Sequence, residues 1–308
     1  MTVADTTVGD RTRLRWPGCS LLADVAEDSR EGNAPPARQW LLIEHPGPWA
    51  RLPLNSPGLD STAMDRLKAW AEAESARIVL IRRPGRRGAE QLPRQWIRVD
   101  SRPGREQIRT GTWSDPVSLA AAAHGAGTSY DDVLALVCTH GRHDACCAVR
   151  GRPLSAALAA TDPAAVWECS HIGGCRFAPA LVLLPHGLVL GGVEPGQGPA
   201  ALADYRRGMV RAKDVNGRGL LRGRSALPRP AQAAQAYARE ATGTADVNGL
   251  RVVELVSGQG DEWRVRLLDP SCEVVVRERG VHVDRPLTCA SPPSATMRVF
   301  ELVSVSKA

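Results

Sequence analysis

The stretch from Cys138 to Cys175 holds five of the eight cysteines and three of the seven histidines in a chain of 308 residues. Packing does not require thiols and imidazoles at this density, and these are the side chains that bind zinc and iron. The ligands of one metal centre must meet in space, so the two ends of the stretch, CTHGRHDACC and CSHIGGC, are predicted to form neighbouring loops. A metal centre is therefore the first hypothesis.

The composition indicates a folded protein of one large or two modest domains, because 43% of the residues are hydrophobic. The net charge of +6 is modest and the acids are interleaved with the arginines, so no nucleic-acid partner is expected. No stretch approaches about 18 apolar residues, and the N-terminus lacks a signal-peptide core. We therefore expect a cytoplasmic protein with no membrane partner, in which clustered cysteines are metal ligands or redox thiols rather than disulfides.

A repeated order of elements predicts the fold class. From Gln39 the chain alternates as β-α-β-β-β-α, and from Val133 a similar order returns. This pattern indicates an α/β fold of tandem thioredoxin-like units with a small C-terminal antiparallel β appendage. The predicted divisions are an irregular lead-in over 1–38, a cluster-free thioredoxin-like domain over 39–127, a ligand-bearing domain over 128–230, and a helix plus β appendage over 231–308.

Several local signals are specific enough to test. An amphipathic helix should bury Met64, Leu67 and Ala71, and Asp115 should cap a helix that starts at Pro116. After Cys138, a loop GRHDACCAVRG should lead into a helix PLSAALAAT, and NGRGLLRGRS should form an arginine-rich surface loop.

Spacing alone leaves the ligand set open. Cys138 ends a buried strand, and the second ligand on its loop is either Cys146 or Cys147. The other pair is His171 and Cys175, separated by a turn with two glycines that permit positive φ. Zinc and iron both accept such a set.

The motif resembles that of the sucrase/ferredoxin-like family, in which Cys-x8-Cys is followed after about two dozen residues by His-x-Gly-Gly-His. Here eight residues separate Cys138 from Cys147, and 23 separate Cys147 from His171. The stretch RFAPALVLLP is also similar to the segment that follows the family's last ligand. The resemblance is close over residues 133–185 and looser over 40–230.

The resemblance implies that residues 128–230 form a thioredoxin-like ferredoxin domain with a [2Fe–2S] cluster. This chain departs from the pattern at one position, because HIGGC has Cys175 where the family has a second histidine. The implied ligands are then Cys138, Cys147, His171 and Cys175. The alternative is that His140 or His143 takes the place of Cys175.

The leading functional hypothesis is an electron-transfer protein that serves an unidentified redox partner protein. A redox enzyme acting on an unknown substrate and a zinc-stabilised interaction domain are the alternatives.

The other cysteines, histidines and arginines near the motif are not assigned as ligands. Cys19, Cys146 and Cys169 are expected in the core or behind the ligands, His140 and His143 in the loop near the cluster, Arg142, Arg150 and Arg176 around its rim, and Arg218, Arg222 and Arg224 on a loop for partner docking.

Overall fold

The computed structural model of this chain describes residues 18–85 and 92–307 and contains two β-sheets. The strands of the large sheet are β1 Gln39–Glu44, β2 Ala76–Arg82, β3 Arg94–Asp100, β4 Gln107–Trp113, β5 Thr128–Ser129, β6 Leu134–Cys138, β7 Val166–Cys169, β8 Ala180–Leu184, β9 Leu188–Gly191 and β10 Leu221–Arg224. The small sheet consists of β11 Arg251–Ser257, β12 Glu262–Leu268, β13 Cys272–Val283 and β14 Ala295–Lys307. The helices are α1 Gly18–Val25, α2 Ser61–Ala73, α3 Pro116–Ala121, α4 Ala145–Thr161, α5 Gly198–Arg206 and α6 Arg229–Thr242. The predicted α/β class with an antiparallel appendage is confirmed.

The predicted repeat is present in the strand order of the large sheet. One half reads β2-β1-β3-β4 and the other β7-β6-β8-β9. In the first half, β1 is parallel to β2 and antiparallel to β3. In the second half, β6 is likewise parallel to β7 and antiparallel to β8. The halves meet where β2 pairs antiparallel with β7, through Ile81 with Cys169 and Arg82 with Glu168. The two units therefore form one continuous sheet, with β5 and β10 at its ends.

Both faces of the large sheet are covered, which explains why its central strands are almost continuously apolar. On one face, α2 and α3 pack on the first half and α4 and α5 on the second. The other face carries Trp40, Leu136 and Cys138, and the lead-in covers it with Cys19 and Ala34. The part of the lead-in that is described is thus a packed layer. The expectation about a signal peptide falls on residues 1–17, outside the described residues.

The helix predictions are confirmed in the first half, whereas in the second half the predicted start of α4 is wrong. Helix α2 buries Met64, Leu67 and Ala71 as predicted, and Asp115 caps α3. The loop expected over residues 141–151 is wrong from Ala145 onward, because α4 already begins there. The Asp144 carboxylate caps α4 by accepting from the Cys146 N–H at 2.9 Å.

The prediction of an arginine-rich surface loop is also wrong. Its residues 221–224 form β10, which pairs antiparallel with β9 and is buried. The small sheet is antiparallel as predicted and its strands follow the order of the chain, and α6 packs Ala234 and Ala238 against Val265 and Phe300. Within the described ranges, no helix has the length and apolar character needed to cross a bilayer.

Candidate metal centre

The four predicted ligands come from three elements that meet at one end of the second half of the sheet. Cys138 is the last residue of β6, and Cys147 lies in the first turn of α4. His171 and Cys175 lie on the connection from β7 to β8, and Cys175 begins a 3₁₀ turn. The parallel pairing of β6 with β7 aligns Cys138 with Cys169, so the two loops emerge side by side.

The donor atoms of these residues form a connected set. Those of Cys138, Cys147 and His171 all lie within 4.8 Å of one another, and so do those of His143, His171 and Cys175. A third group with the same limit contains Asp144, Cys147 and Cys175. The Cys175 Sγ lies 3.5 Å from the His171 Nδ1. Among the described residues, no single group holds all four predicted ligands, because Cys138 and Cys175 share no group, but Cys147 and His171 are each grouped with both of them.

The two glycines between His171 and Cys175 are required by backbone and by space. Gly173 and Gly174 have φ of 100° and 73°, a region that other residues adopt with strain. A Cβ on Gly174 would lie 2.2 Å from the Arg222 Nη2. The sequence expectation of positive φ at this turn is therefore confirmed.

The charges of the donors depend on hydrogen bonds within the set. Hydrogen bonds from Cys147 and Cys169 hold the pKa of Cys138 well below its usual range. A hydrogen bond from Cys147 and the neighbouring His171 lower the pKa of Cys175. Cys147 sits between these two sulfurs, and its hydrogen bonds to them raise its pKa. Metal binding would therefore release the Cys147 proton, because a thiolate is the ligand form.

His171 is a strong base in this environment. Burial lowers the pKa of its imidazole, but hydrogen bonds to Cys138 and Cys175 outweigh burial and raise the pKa to about 9. His143 stacks on His171, with ring centroids 3.5 Å apart and planes at 20°. The buried His140 accepts from the His171 backbone N–H through its Nδ1 at 3.3 Å. Both loop histidines thus hold His171 in position.

Most of the arginines predicted to lie around the rim of the centre or on an exposed docking loop are instead buried or bound to carboxylates. Arg142 is exposed, whereas Arg176 is buried beside Asp28 and Arg150 is bound to Asp24 at 2.6 Å. The prediction that Arg222 and Arg224 form an exposed docking surface is wrong, because both are buried in β10. The Arg222 side chain reaches the lead-in at the Asn33 carbonyl, whereas the Arg224 side chain pairs with Glu106.

Arg222 lies directly behind the glycine turn. Its Nη1 donates to the Gly173 carbonyl at 3.1 Å and its Nη2 to the Asn33 carbonyl at 2.6 Å. Burial lowers its pKa to about 9, while the charge of Cys175 acts in the opposite direction. Arg77 of β2 flanks the same turn, with its Nη2 3.9 Å from where a Gly173 Cβ would lie. Sequence reasoning missed Arg77, since no motif connects β2 to the ligand loops.

Comparison with known families identifies the chain. Its sequence matches the sucrase/ferredoxin-like family over residues 31–214. The chain belongs to the sucrase/ferredoxin-like family. All four predicted ligands of this sucrase/ferredoxin-like protein fall inside the matched region, whereas β10 and the small sheet lie beyond it. Searches of curated proteins and of solved structures found no match.

Proposed function

We propose that this protein is a one-electron carrier whose [2Fe–2S] cluster is held by Cys138, Cys147, His171 and Cys175. The observation that carries the proposal is that the three residues matching the family motif and Cys175, which stands at its fourth ligand position, lie together at the end of β6, with Cys175 beside His171. Three thiols and one imidazole are donors that iron–sulfur clusters accept. Bound there, the cluster would supply reversible one-electron chemistry.

The resemblance of the ligand motif to that of the sucrase/ferredoxin-like family supports a cluster over a single ion. The half-buried Arg77 and the buried Arg222 also support the proposal, because their positive charges would balance the negative charge of three thiolates.

The exposure of the donors indicates where an electron would leave. Cys138, Cys147 and Cys175 are buried, whereas His171 and the stacked His143 are half-buried. Near them, Arg51 and Arg142 are exposed, and the Arg51 carbonyl contacts the His143 Nδ1 at 3.2 Å. An acidic redox partner protein would dock at this face.

Reductive titration of anaerobically purified protein, followed by absorbance and by electron paramagnetic resonance, tests the proposal. We expect a red-brown protein that takes up one electron reversibly and whose signal is lost in Cys138→Ser. Cys272→Ser is the matched control, because Cys272 is equally buried but lies in the core of the small sheet. A colourless zinc protein would favour the interaction-domain hypothesis, and turnover of an added thiol or quinone would favour the enzyme.

A further inference from the structure

A second group of donors lies next to the candidate centre and is separate from its four ligands. It consists of Cys19, Asp144, Cys146 and Cys289, whose donor atoms all lie within 4.8 Å of one another. Cys19 is in α1, Asp144 and Cys146 begin α4, and Cys289 is on the connection from β13 to β14. Three distant parts of the chain thus converge on one point.

Three of the sulfur–sulfur and sulfur–oxygen distances in this group are close to those of a tetrahedral ion site, and the Cys146–Cys289 distance is shorter. The Cys289 Sγ lies 3.3 Å from the Cys146 Sγ and 3.7 Å from the Cys19 Sγ. The Cys19 Sγ lies 3.6 and 3.7 Å from the two Asp144 carboxylate oxygens. Zinc bonds of about 2.3 Å to sulfur and about 2.1 Å to oxygen predict edges of about 3.8 Å and about 3.6 Å in a tetrahedron.

The surroundings orient these donors. The Asp144 carboxylate accepts from the backbone N–H of Cys146 at 2.9 Å and of Cys289 at 2.8 Å, which fixes both of its oxygens. Cys19, Asp144 and Cys146 are buried, and Cys289 is half-buried. Fixing ligands by a second layer of hydrogen bonds is a general feature of protein metal sites.

We propose that Cys19, Asp144, Cys146 and Cys289 form a second metal site that binds one zinc-like divalent ion. The ion would be structural, because four protein donors close its coordination shell. It would fasten the lead-in and the β13–β14 connection to the first turn of α4. The adjacent cysteines then have separate roles, with Cys147 at the candidate cluster and Cys146 at the ion. This inference does not depend on the proposed function.

Zinc and iron per chain, measured by mass spectrometry of full-length protein expressed with both metals, test the inference. We expect about one zinc per chain in the wild type, lost in Cys19→Ser and Cys289→Ser with the iron content and visible spectrum unchanged. Cys272→Ser should keep the zinc, and Cys138→Ser should keep it while losing iron. A chelator that removes zinc should lower the unfolding temperature of the wild type but not that of Cys289→Ser.

Three results would overturn the inference. One is a wild type without zinc, and another is zinc that remains in both Cys19→Ser and Cys289→Ser. The third is a Cys146–Cys289 disulfide, detected by alkylation and mass spectrometry of the native protein. Zinc at this site in a protein without iron or sulfide would support the inference while refuting the electron-carrier proposal.

Discussion

The pair of dissimilar donors on the glycine turn, His171 and Cys175, determines the expected redox behaviour. In the proposed cluster, a thiolate would place one more negative charge beside the reducible iron than an imidazole would, so reduction would be harder. Four-cysteine ferredoxins have midpoints of about −400 mV and Rieske centres of about −150 to +300 mV. We expect a midpoint between these ranges, toward the lower side. It should fall by about 59 mV per pH unit if one proton accompanies the electron.

Exchanging His171 and Cys175 one at a time tests their assignment as ligands, because the two exchanges should shift the midpoint potential in opposite directions. Cys175→His should raise the midpoint, and His171→Cys should lower it and remove its pH dependence. Potentiometric titration of both variants between pH 6 and 9 is the measurement. Unchanged spectra and midpoints in the two variants would show that residues other than His171 and Cys175 are the ligands.

Arg222 should make reduction easier, because its buried charge lies behind the turn that carries Cys175. Arg222→Met removes that charge and should lower the midpoint by on the order of 50 mV. Arg239→Met is the matched control, since Arg239 is also buried but donates to the Thr244 and Asp246 carbonyls near the small sheet. An Arg222→Met protein with an intact cluster and the wild-type midpoint would show that the charge has no such effect.

The four candidate ligands could be chosen from the sequence because the spacing of Cys138, Cys147 and His171 resembles the family motif and Cys175 stands at its fourth ligand position. Cys19 and Cys289 could not, since 270 positions separate them and only tertiary contacts bring them together. Arg222 was misjudged for a related reason. Arginine in a glycine-rich segment is typical of a surface loop, and its burial depends on carbonyls of Gly173 and Asn33 that are distant in sequence.

At the scale of elements, α4 is pressed against the end of β6 at Gly151. A Cβ at this position would lie 2.2 Å from the Cys138 carbonyl oxygen. Alanine normally stabilises a helix relative to glycine by about 1 kcal/mol, but here it must push α4 away from β6. We expect Gly151→Ala to reduce the free energy of unfolding by about 1–3 kcal/mol and to disturb the centre.

Urea denaturation and the visible spectrum check this expectation. Gly196→Ala is the control, because a Cβ there meets no atom within 4 Å. A Gly151→Ala protein as stable as the wild type would mean that α4 and β6 are farther apart than described.

The start of α4 and the strand β10 were missed in the sequence for physical reasons. Pro153 is typical of a first helical turn, so the helix was expected to begin there, yet Pro153 lies inside α4. The actual start depends on the cap at Asp144. In β10, the sequence LRGR has no apolar alternation, and the strand forms because β9 offers an open edge. Elements with regular apolar patterns, such as α2 and β11–β14, were predicted correctly.

At the scale of the whole molecule, the sheet, α5 and the chain leading to the small sheet meet around His186. Its Nδ1 lies 2.6 Å from the Tyr205 hydroxyl of α5, and a hydrogen bond to Asn248 also involves its ring. Burial, and then the charge of Arg224, lower the pKa of His186 from 6.5 to about 4. The folded protein therefore prefers the neutral imidazole, while the unfolded chain takes up a proton below 6.5.

Global stability should consequently depend on pH through this residue. Its contribution is complete above pH 6.5 and is lost as the pH falls toward 4, by at most about 3 kcal/mol. His186→Gln should flatten the dependence of the unfolding free energy between pH 6.5 and 4. The exposed His124→Gln serves as control. An equally steep dependence in His186→Gln and in the wild type would assign the effect to other groups.

The repeated strand order places the candidate metal centre in one half of the large sheet and a similar half beside it. The first half repeats β2-β1-β3-β4 without the ligand motif, and its strand β2 pairs with β7 beside the centre. It thereby supplies Arg77 and a fixed edge for the ligand loops. The repeat was visible in the order of elements, whereas the joining of the halves through β2 and β7 was not, because sheet edges carry no local signal.

The amount of iron and acid-labile sulfide per chain, in protein purified without oxygen, tests the central claim most directly. We predict about two irons and about two sulfides per chain, both lost in Cys138→Ser and Cys147→Ser and both retained in Cys272→Ser. Protein that holds zinc in place of iron at Cys138 and Cys147, or that contains no labile sulfide, would contradict the account.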